Sequence, residues 1–236
     1  MKNYLSFGAG VNSVALYLLM QDLGIQFEAV FVDHGGDWPE TYEYVEYFVA
    51  TGRPVTVLTP DYQGCKTLLQ FCKKNRMTPN MWQRWCTQHF KVAPVLKYCT
   101  GPGFQHIGIA AEEAKRAKIS IKNGIENRFL LIENEIDRDG CVDIIKKHGL
   151  NVPIKSGCYI CPFQRASQWR QLRREHPDLF CIASKIEEQQ NEARAEKGKG
   201  PHWVRKGGSL SSFINDKQTV LPGLENLEYP PCQCGL

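Results

Sequence analysis

The chain has 236 residues, enough for one α/β domain with an extension or for two small domains. Its mean hydropathy of −0.37 is that of a soluble globular protein. No apolar run reaches the roughly 18–20 residues that cross a bilayer, so no membrane partner is expected. A net charge of +4 permits a nucleic-acid partner without demanding one.

Met1-Lys2-Asn3-Tyr4 leads directly into a strand at Leu5–Phe7, so no signal peptide is read and a cytoplasmic location is expected. A helix follows over Ser13–Leu23. Phe27–Val32 is a buried-type strand, Pro39–Thr51 a helix with proline in its first turn, and Pro54–Leu58 a third strand. Residues 61–77 form a weaker helical segment, and residues 88–99 a helix despite Pro94. Phe104–Ile109 is a strand, residues 111–118 a short polar helix or turn, Phe129–Glu133 the last strand and Arg138–Gly149 a helix. This alternation implies a parallel sheet covered by helices. Ligands of such sheets sit at the carboxyl ends of the strands, near a topological switch point. Beyond residue 150 come helices over Ser167–Arg174 and Phe180–Lys197, a Gly/Lys-rich stretch at 197–208 and a Pro-rich tail. Two parts are expected: residues 1–155, which bind a nucleotide, and residues 156–236, a Cys-rich segment packed on the first. The second part offers few apolar residues for a core of its own.

The strongest chemical signal lies in Tyr4–Leu16. A strand runs into Ser6-Phe7-Gly8-Ala9-Gly10, then Asn12-Ser13, then an apolar helix. Backbone N–H groups in such a turn point at one spot, and the helix N-terminus adds the positive end of its dipole. The product is a phosphate cradle, although an ordinary tight strand-to-helix turn has the same outline. There is no Gly-Lys-Ser/Thr ending, so this is not the usual P-loop, and the spacing fails Gly-x-Gly-x-x-Gly. The second strand ends in Asp33-His34-Gly35-Gly36-Asp37-Trp38-Pro39-Glu40-Thr41. A carboxylate at Asp33 can accept hydrogen bonds from ribose or adenine, or can cap a turn, while Glu40 reads as an acid suited to a helix start.

Ten cysteines in a cytosolic chain point to metal or redox chemistry before disulfides. Cys65, Cys72, Cys99, Cys141 and Cys181 lie among apolar residues and are expected to pack as small hydrophobes. Cys158-Tyr159-Ile160-Cys161 puts two thiolates on one turn, where zinc, a cluster edge or a dithiol would each fit. Basic residues gather at Arg165–Arg174 and Arg194–Lys206, either as solvated faces or as a polyanion footprint in which Trp203 and Arg205 contact a backbone or base.

Ser6-Phe7-Gly8-Ala9-Gly10-Val11-Asn12-Ser13 resembles the PP-loop of the N-type ATP pyrophosphatases, with Asn12 at the usual acidic position. The Ser-Phe-Gly opening is closer to the phosphoadenylylsulfate reductase branch. Asp33, Gly35, Pro39, Glu40 and Thr41 resemble that branch's second-strand turn. The segment from Gly108 to Arg116 resembles its Gly-x-x-Ala-x-Glu-Ser-x-Arg, with Ala114 for the serine. Trp85-Cys86-Thr87-Gln88-His89-Phe90-Lys91-Val92-Ala93-Pro94 resembles the cysteine segment of cluster-bearing reductases, and Cys232-Gln233-Cys234-Gly235-Leu236 their tail, without its flanking Glu and His.

The resemblance implies a Rossmann-like α/β fold of the adenine nucleotide alpha hydrolase type. It implies nucleotide contacts from Ser6, Phe7, Gly8, Ala9, Gly10, Asn12, Ser13, Asp33, Gly108 and Arg116, with Gly108 letting the backbone approach the nucleotide. It also implies working roles for Ser13, Lys91 and the thiol of Cys234 or Cys232. Cys86, Cys158 and Cys161, with Cys232 or Cys234 as fourth ligand, would hold a [4Fe–4S] cluster, or zinc as the alternative. The implied activity is an ATP pyrophosphatase using ATP and Mg²⁺ in sulfur transfer to nucleic acid, DNA phosphorothioation among the cases and tRNA the other target. A cysteine desulfurase would be the sulfur donor, and a homodimer the assembly. Two alternatives stand beside it: a thioredoxin-dependent reductase of adenylylated sulfate, and a non-catalytic nucleotide- or nucleic-acid-binding subunit.

Overall fold

The computed structural model describes residues 1–154, 157–205 and 207–212. The elements in chain order are β1 (Lys2–Ser6), α1 (Val11–Asp22), β2 (Glu28–Val32), α2 (Pro39–Ala50), β3 (Thr56–Leu58) and α3 (Leu68–Asn75). Then come α4 (Trp85–Thr87), a π-helical segment (Gln88–Val92), α5 (Ala93–Tyr98), β4 (Gly103–Ile107), a 3₁₀ helix (Ala111–Arg116), β5 (Ile121–Lys122) and β6 (Ile125–Arg128). The last four helices are α6 (Leu130–Glu133), α7 (Arg138–Lys147), α8 (Ala166–Glu175) and α9 (Pro177–Ala195).

The chain divides into two compact units. The first comprises Met1–Leu68 and Cys86–Cys158; the second comprises Leu69–Trp85 and the described residues from Tyr159 onward. Leu69–Trp85 thus belongs to the second unit although it lies within the first in sequence.

The first unit is a six-stranded α/β sheet of order β3-β2-β1-β4-β6-β5, parallel throughout except for the β5–β6 pair. Strand alternation sorts its residues to two faces. Leu5, Phe7, Ala29 and Phe31 join a core with α1, α2, α6 and α7, whereas Tyr4, Val30 and Ile125 pack with Val95 and Cys99 at the α5 end. Helices therefore cover both faces, which is why α1 is buried along nearly its whole length. β1 has β2 on one side and β4 on the other, so the strand order reverses there. The crevice beyond the carboxyl ends of β1 and β4 is the topological switch point.

Two expectations need correction. Phe129–Glu133 is not the last strand: that strand is β6, and Leu130–Glu133 is a single helical turn. The reversal is set by Asn123 and Gly124, both left-handed at φ 52° and 78°, which form the two-residue turn of the β5–β6 hairpin. Residues 61–77 are helical only from Leu68, because Gln63 and Gly64 are left-handed and Tyr62 and Cys65 exchange backbone hydrogen bonds across a tight turn. The helix around Pro94 survives by widening. The Ala93 N–H donates to the Gln88 carbonyl, five residues back, and Pro94 falls in the first turn of α5, where its missing N–H costs nothing.

The second unit has more core than its sequence suggested. Phe71 and Trp85, with ring centroids 4.9 Å apart, are buried, as are Trp169, Leu172, Phe180, Ile186, Val204 and Leu210. The inserted Leu69–Trp85 segment thus supplies apolar mass that residues 156–236 lack. Among the described residues, no helix is long and apolar enough to cross a membrane.

Candidate functional site

The loop after β1 begins the site. Phe7 continues from the strand into the core, stacked on Phe48 at 5.0 Å and edge-on to Tyr17, so its ring is not available to a nucleotide. Ser6 is likewise committed: its hydroxyl accepts from Gln105 Nε2 at 2.7 Å, tying β1 to β4. Gly8 is exposed, and a Cβ there would meet nothing within 4 Å. Ala9 takes the left-handed conformation at φ 52° with its methyl fully buried in the core. Gly10 is the N-cap of α1.

Ser13 closes the loop from inside the helix. Its Oγ accepts from the N–H groups of Gly8 and Gly10, each at 3.2 Å, and donates to the Gly10 carbonyl at 3.0 Å. Ser13 is therefore a brace that shapes the loop. The first-turn N–H groups of Val11, Asn12 and Ser13 have no intrahelical acceptor, as at every helix start, and a helix N-terminus of this kind favours an anion.

Gly108, at the end of β4, packs closely on the start of α1. A Cβ there would lie 2.9 Å from Ser13 N and 3.0 Å from the Asn12 carbonyl. The glycine admits the first turn of α1 against β4, and so fixes where the loop sits.

Asn12 is buried and answered at both ends. Its Nδ2 donates to Glu113 Oε2 at 3.2 Å, and its Oδ1 accepts from Arg138 Nη1 at 3.3 Å. Glu113 also takes the Arg116 guanidinium. Arg138–Asn12–Glu113–Arg116 is thus one chain of side chains drawn from α1, the 3₁₀ helix and α7. Arg116, expected to face phosphate directly, stands beside the loop with Glu113 as its partner. Glu113 and Arg138 were not singled out in the sequence. Glu113 stands at the Glu of the quoted Gly108–Arg116 segment, whereas nothing near Arg138 marked it.

At the end of β2, Asp33 Oδ1 accepts from Gly35 N at 2.9 Å, forming the turn that Gly35 completes at φ 65°. Beyond it lies a buried cluster. His34 Nε2 approaches Asp37 Oδ1 at 3.3 Å, and Lys91 Nζ approaches the same oxygen at 3.8 Å. The His34 contact has ion-pair distance without hydrogen-bond alignment, which leaves both ring nitrogens without a hydrogen-bond partner. Burial would raise the Asp37 carboxyl, but His34 and Lys91 outweigh it and hold the carboxyl well below its usual range. Tyr42 donates no proton easily here: burial, then the Asp37 charge, push its hydroxyl up. Lys91 is accordingly placed against Asp37. Cys158 pairs with Asp37 in an isolated bridge, and its Sγ lies 3.3 Å from where a Gly36 Cβ would stand. His34 and Asp37 both lie in the second-strand turn, but nothing in its local pattern marks them as a pair.

None of the eight described cysteines is in a disulfide. Cys65, Cys72, Cys99 and Cys141 are buried as expected; Cys181 is instead exposed, on the solvent side of α9 beside buried Phe180. Among the described residues, no three His, Cys, Asp or Glu side chains are grouped to hold a metal ion. Cys232 and Cys234 lie outside the described residues.

No protein-family model matches the chain. It is similar to an uncharacterized nin region protein, ORF290, of Escherichia phage lambda, with 30% identity over 193 residues, 69% of this chain. The chain spans 65% of the length of that relative. Among solved structures, it is similar to a crystal structure of phosphoadenylyl-sulfate reductase from Candida auris in a phosphate complex. The TM-score is 0.49 and the identity 16%, with 65% of this chain and 75% of that one covered.

Proposed function

We propose that the chain is a PP-loop ATP pyrophosphatase of the phosphoadenylylsulfate-reductase-like group, acting in sulfur transfer to nucleic acid, DNA phosphorothioation being the leading case. The observation that carries the reading is the Ser13-braced loop between β1 and the N-terminus of α1 at the switch point, with Gly8 open. In this reading a target oxygen attacks the α-phosphorus of ATP, the target–phosphate bond forms, and pyrophosphate leaves. The terminal sulfur of a persulfide, supplied by a desulfurase-type donor, then displaces AMP; a second thiol cleaves the resulting target–S–S–carrier bond, which leaves the sulfur on the target and a disulfide on the carrier that an external thiol reductant reopens. The N–H groups and the arginines at the loop offset charge growing on the phosphates. Mg²⁺, when bound with the nucleotide, would neutralise the leaving pyrophosphate. Among the described residues Cys86, Cys158 and Cys161 do not form a three-ligand group, so no step is drawn through a cluster or zinc, and either Cys234 or Cys232 is proposed as a sulfur carrier.

One observation favours a second reading. Asn12 offers no carboxylate for Mg²⁺, and both its polar ends are engaged. A nucleotide that needs no metal, such as adenylyl sulfate, suits that loop, and its reduction by a thiol and a thioredoxin-like reductant would be the activity.

The test is incubation of anaerobically purified protein with Mg²⁺ and α-labelled ATP, in the presence of DNA and tRNA. AMP and pyrophosphate together support the first reading. No turnover, with tight binding of adenylyl sulfate, replaces it with the second.

A further inference from the structure

The second unit differs from the first in what it leaves exposed. Among the described residues it carries 13 Lys and Arg against 6 Asp and Glu, whereas the first carries 13 against 16. The segment Leu69–Trp85 alone has four cations and no acid. On this basic background stand two exposed tryptophans, Trp82 at 88% and Trp203 at 38% of full exposure. The other three tryptophans, Trp38, Trp85 and Trp169, are buried.

Neither exposed ring is on loose chain. Asn80 Oδ1 accepts from the N–H groups of Trp82 and Gln83, at 3.1 and 2.8 Å, folding a tight turn beneath Trp82. The loop bearing Trp203 is held by one face of α9. Glu187, Gln190, Asn191 and Arg194 recur at helical spacing, and each bonds the loop's backbone. Glu187 accepts from Val204 N and Leu210 N, Gln190 donates to the His202 carbonyl, Asn191 accepts from His202 N, and Arg194 donates to the Gly200 carbonyl. Gln190 is also the acceptor for Thr78 N and Thr78 Oγ1, so a single buried amide ties both Trp-bearing loops together. Arg76 bridges to Glu192 and Glu196, bringing the end of α3 to the end of α9. Exposed Lys73, Lys197 and Lys199 lie at those two ends.

Rigidly held, solvent-facing aromatic rings among cations are the apparatus for binding a flexible polyanion with planar bases. We infer that the second unit carries a docking surface for single-stranded nucleic acid, with Trp82 and Trp203 as base-stacking platforms and Lys73, Lys197 and Lys199 as phosphate contacts. The inference rests on the nucleic-acid part of the proposed function and names how such a target is held.

The test is fluorescence anisotropy of a labelled oligothymidylate of about 16 nucleotides with the full chain. Trp82→Ala and Trp203→Ala should each weaken binding about tenfold at an unchanged melting temperature, and the oligonucleotide should quench the exposed tryptophan emission of the wild type. Lys73→Ala with Lys197→Ala should flatten the dependence of affinity on salt. Wild-type affinity in both tryptophan variants overturns the inference. So does equal competition by polyglutamate, which would mark a surface for acidic proteins, or tighter binding of duplex than of single strand. Adenylyl transfer is read separately as pyrophosphate release from ATP. Loss of that activity with oligonucleotide binding intact removes the proposed enzyme and leaves the surface; the converse removes the surface alone.

Discussion

The two units solve opposite problems with the same kinds of side chain. In the sheet unit, polar groups answer one another: Asn12 lies between Glu113 and Arg138, and Asp37 between His34 and Lys91. In the helical unit, the polar stripe of α9 is spent on loop backbone, and the aromatic rings are left facing water. The first arrangement suits a compact anion met by a few groups. The second suits a long, repetitive one met by many weak contacts. A preorganised site and an adaptable surface are therefore legible as a difference in what the buried polar atoms are bonded to.

Substitution should break the contrast unevenly. The largest effect is expected at Gly108→Val, where the new side chain meets backbone of Asn12 and Ser13 rather than flexible atoms. A loss of about 3 kcal/mol in unfolding free energy, together with the loss of nucleotide binding, should appear in denaturant melts and ATP titration. Asp37→Ala comes next. It removes the carboxylate beside the buried His34 ring, and should cost about 3 kcal/mol at neutral pH. The sign in acid follows from the lowered Asp37 carboxyl: its contribution is present above the unfolded value and is lost as pH falls through the folded one. Wild type and variant should thus converge in stability at strongly acidic pH.

Ser13→Ala removes the brace from Gly8 and Gly10. About 1 kcal/mol of stability and at least about tenfold in nucleotide affinity should go, read by thermal melts and equilibrium binding. The smallest effect belongs to His106, whose ring is held by burial, then by Arg128, down to about 4. A base lowered in the folded state destabilises as pH falls from its ordinary value near 6.5 towards 4, where the unfolded chain takes the proton first. His106→Gln should flatten that part of the melting-temperature profile.

Much of the sheet unit was readable in the sequence because local patterns there agree with the fold. Phe27–Val32 is apolar enough for a strand buried on both faces, and Pro39 marks the start of α2. Phe129–Glu133 misled because a short apolar run does not distinguish strand from helix, while Asn123-Gly124 was the stronger turn signal. The loop was legible for the same local reason as α1. The partners of Asn12 were not, since Glu113 and Arg138 are 101 and 126 residues away in sequence and meet it only through tertiary packing. The segment Leu69–Trp85 was hidden likewise. Its helical pattern announced an element but not the unit to which that element belongs.

Ala9 has a consequence for the energetics of ligand arrival. An L-residue in the left-handed region costs about 1 kcal/mol, and at Ala9 that cost is set against a methyl locked into the core. The bend is thus a by-product of folding, complete before any ligand is met. Binding at this loop should proceed with little ordering entropy and a small heat-capacity change, as a key enters a finished lock. Ala9→Gly would release the bend from the core and move that cost from folding to recognition.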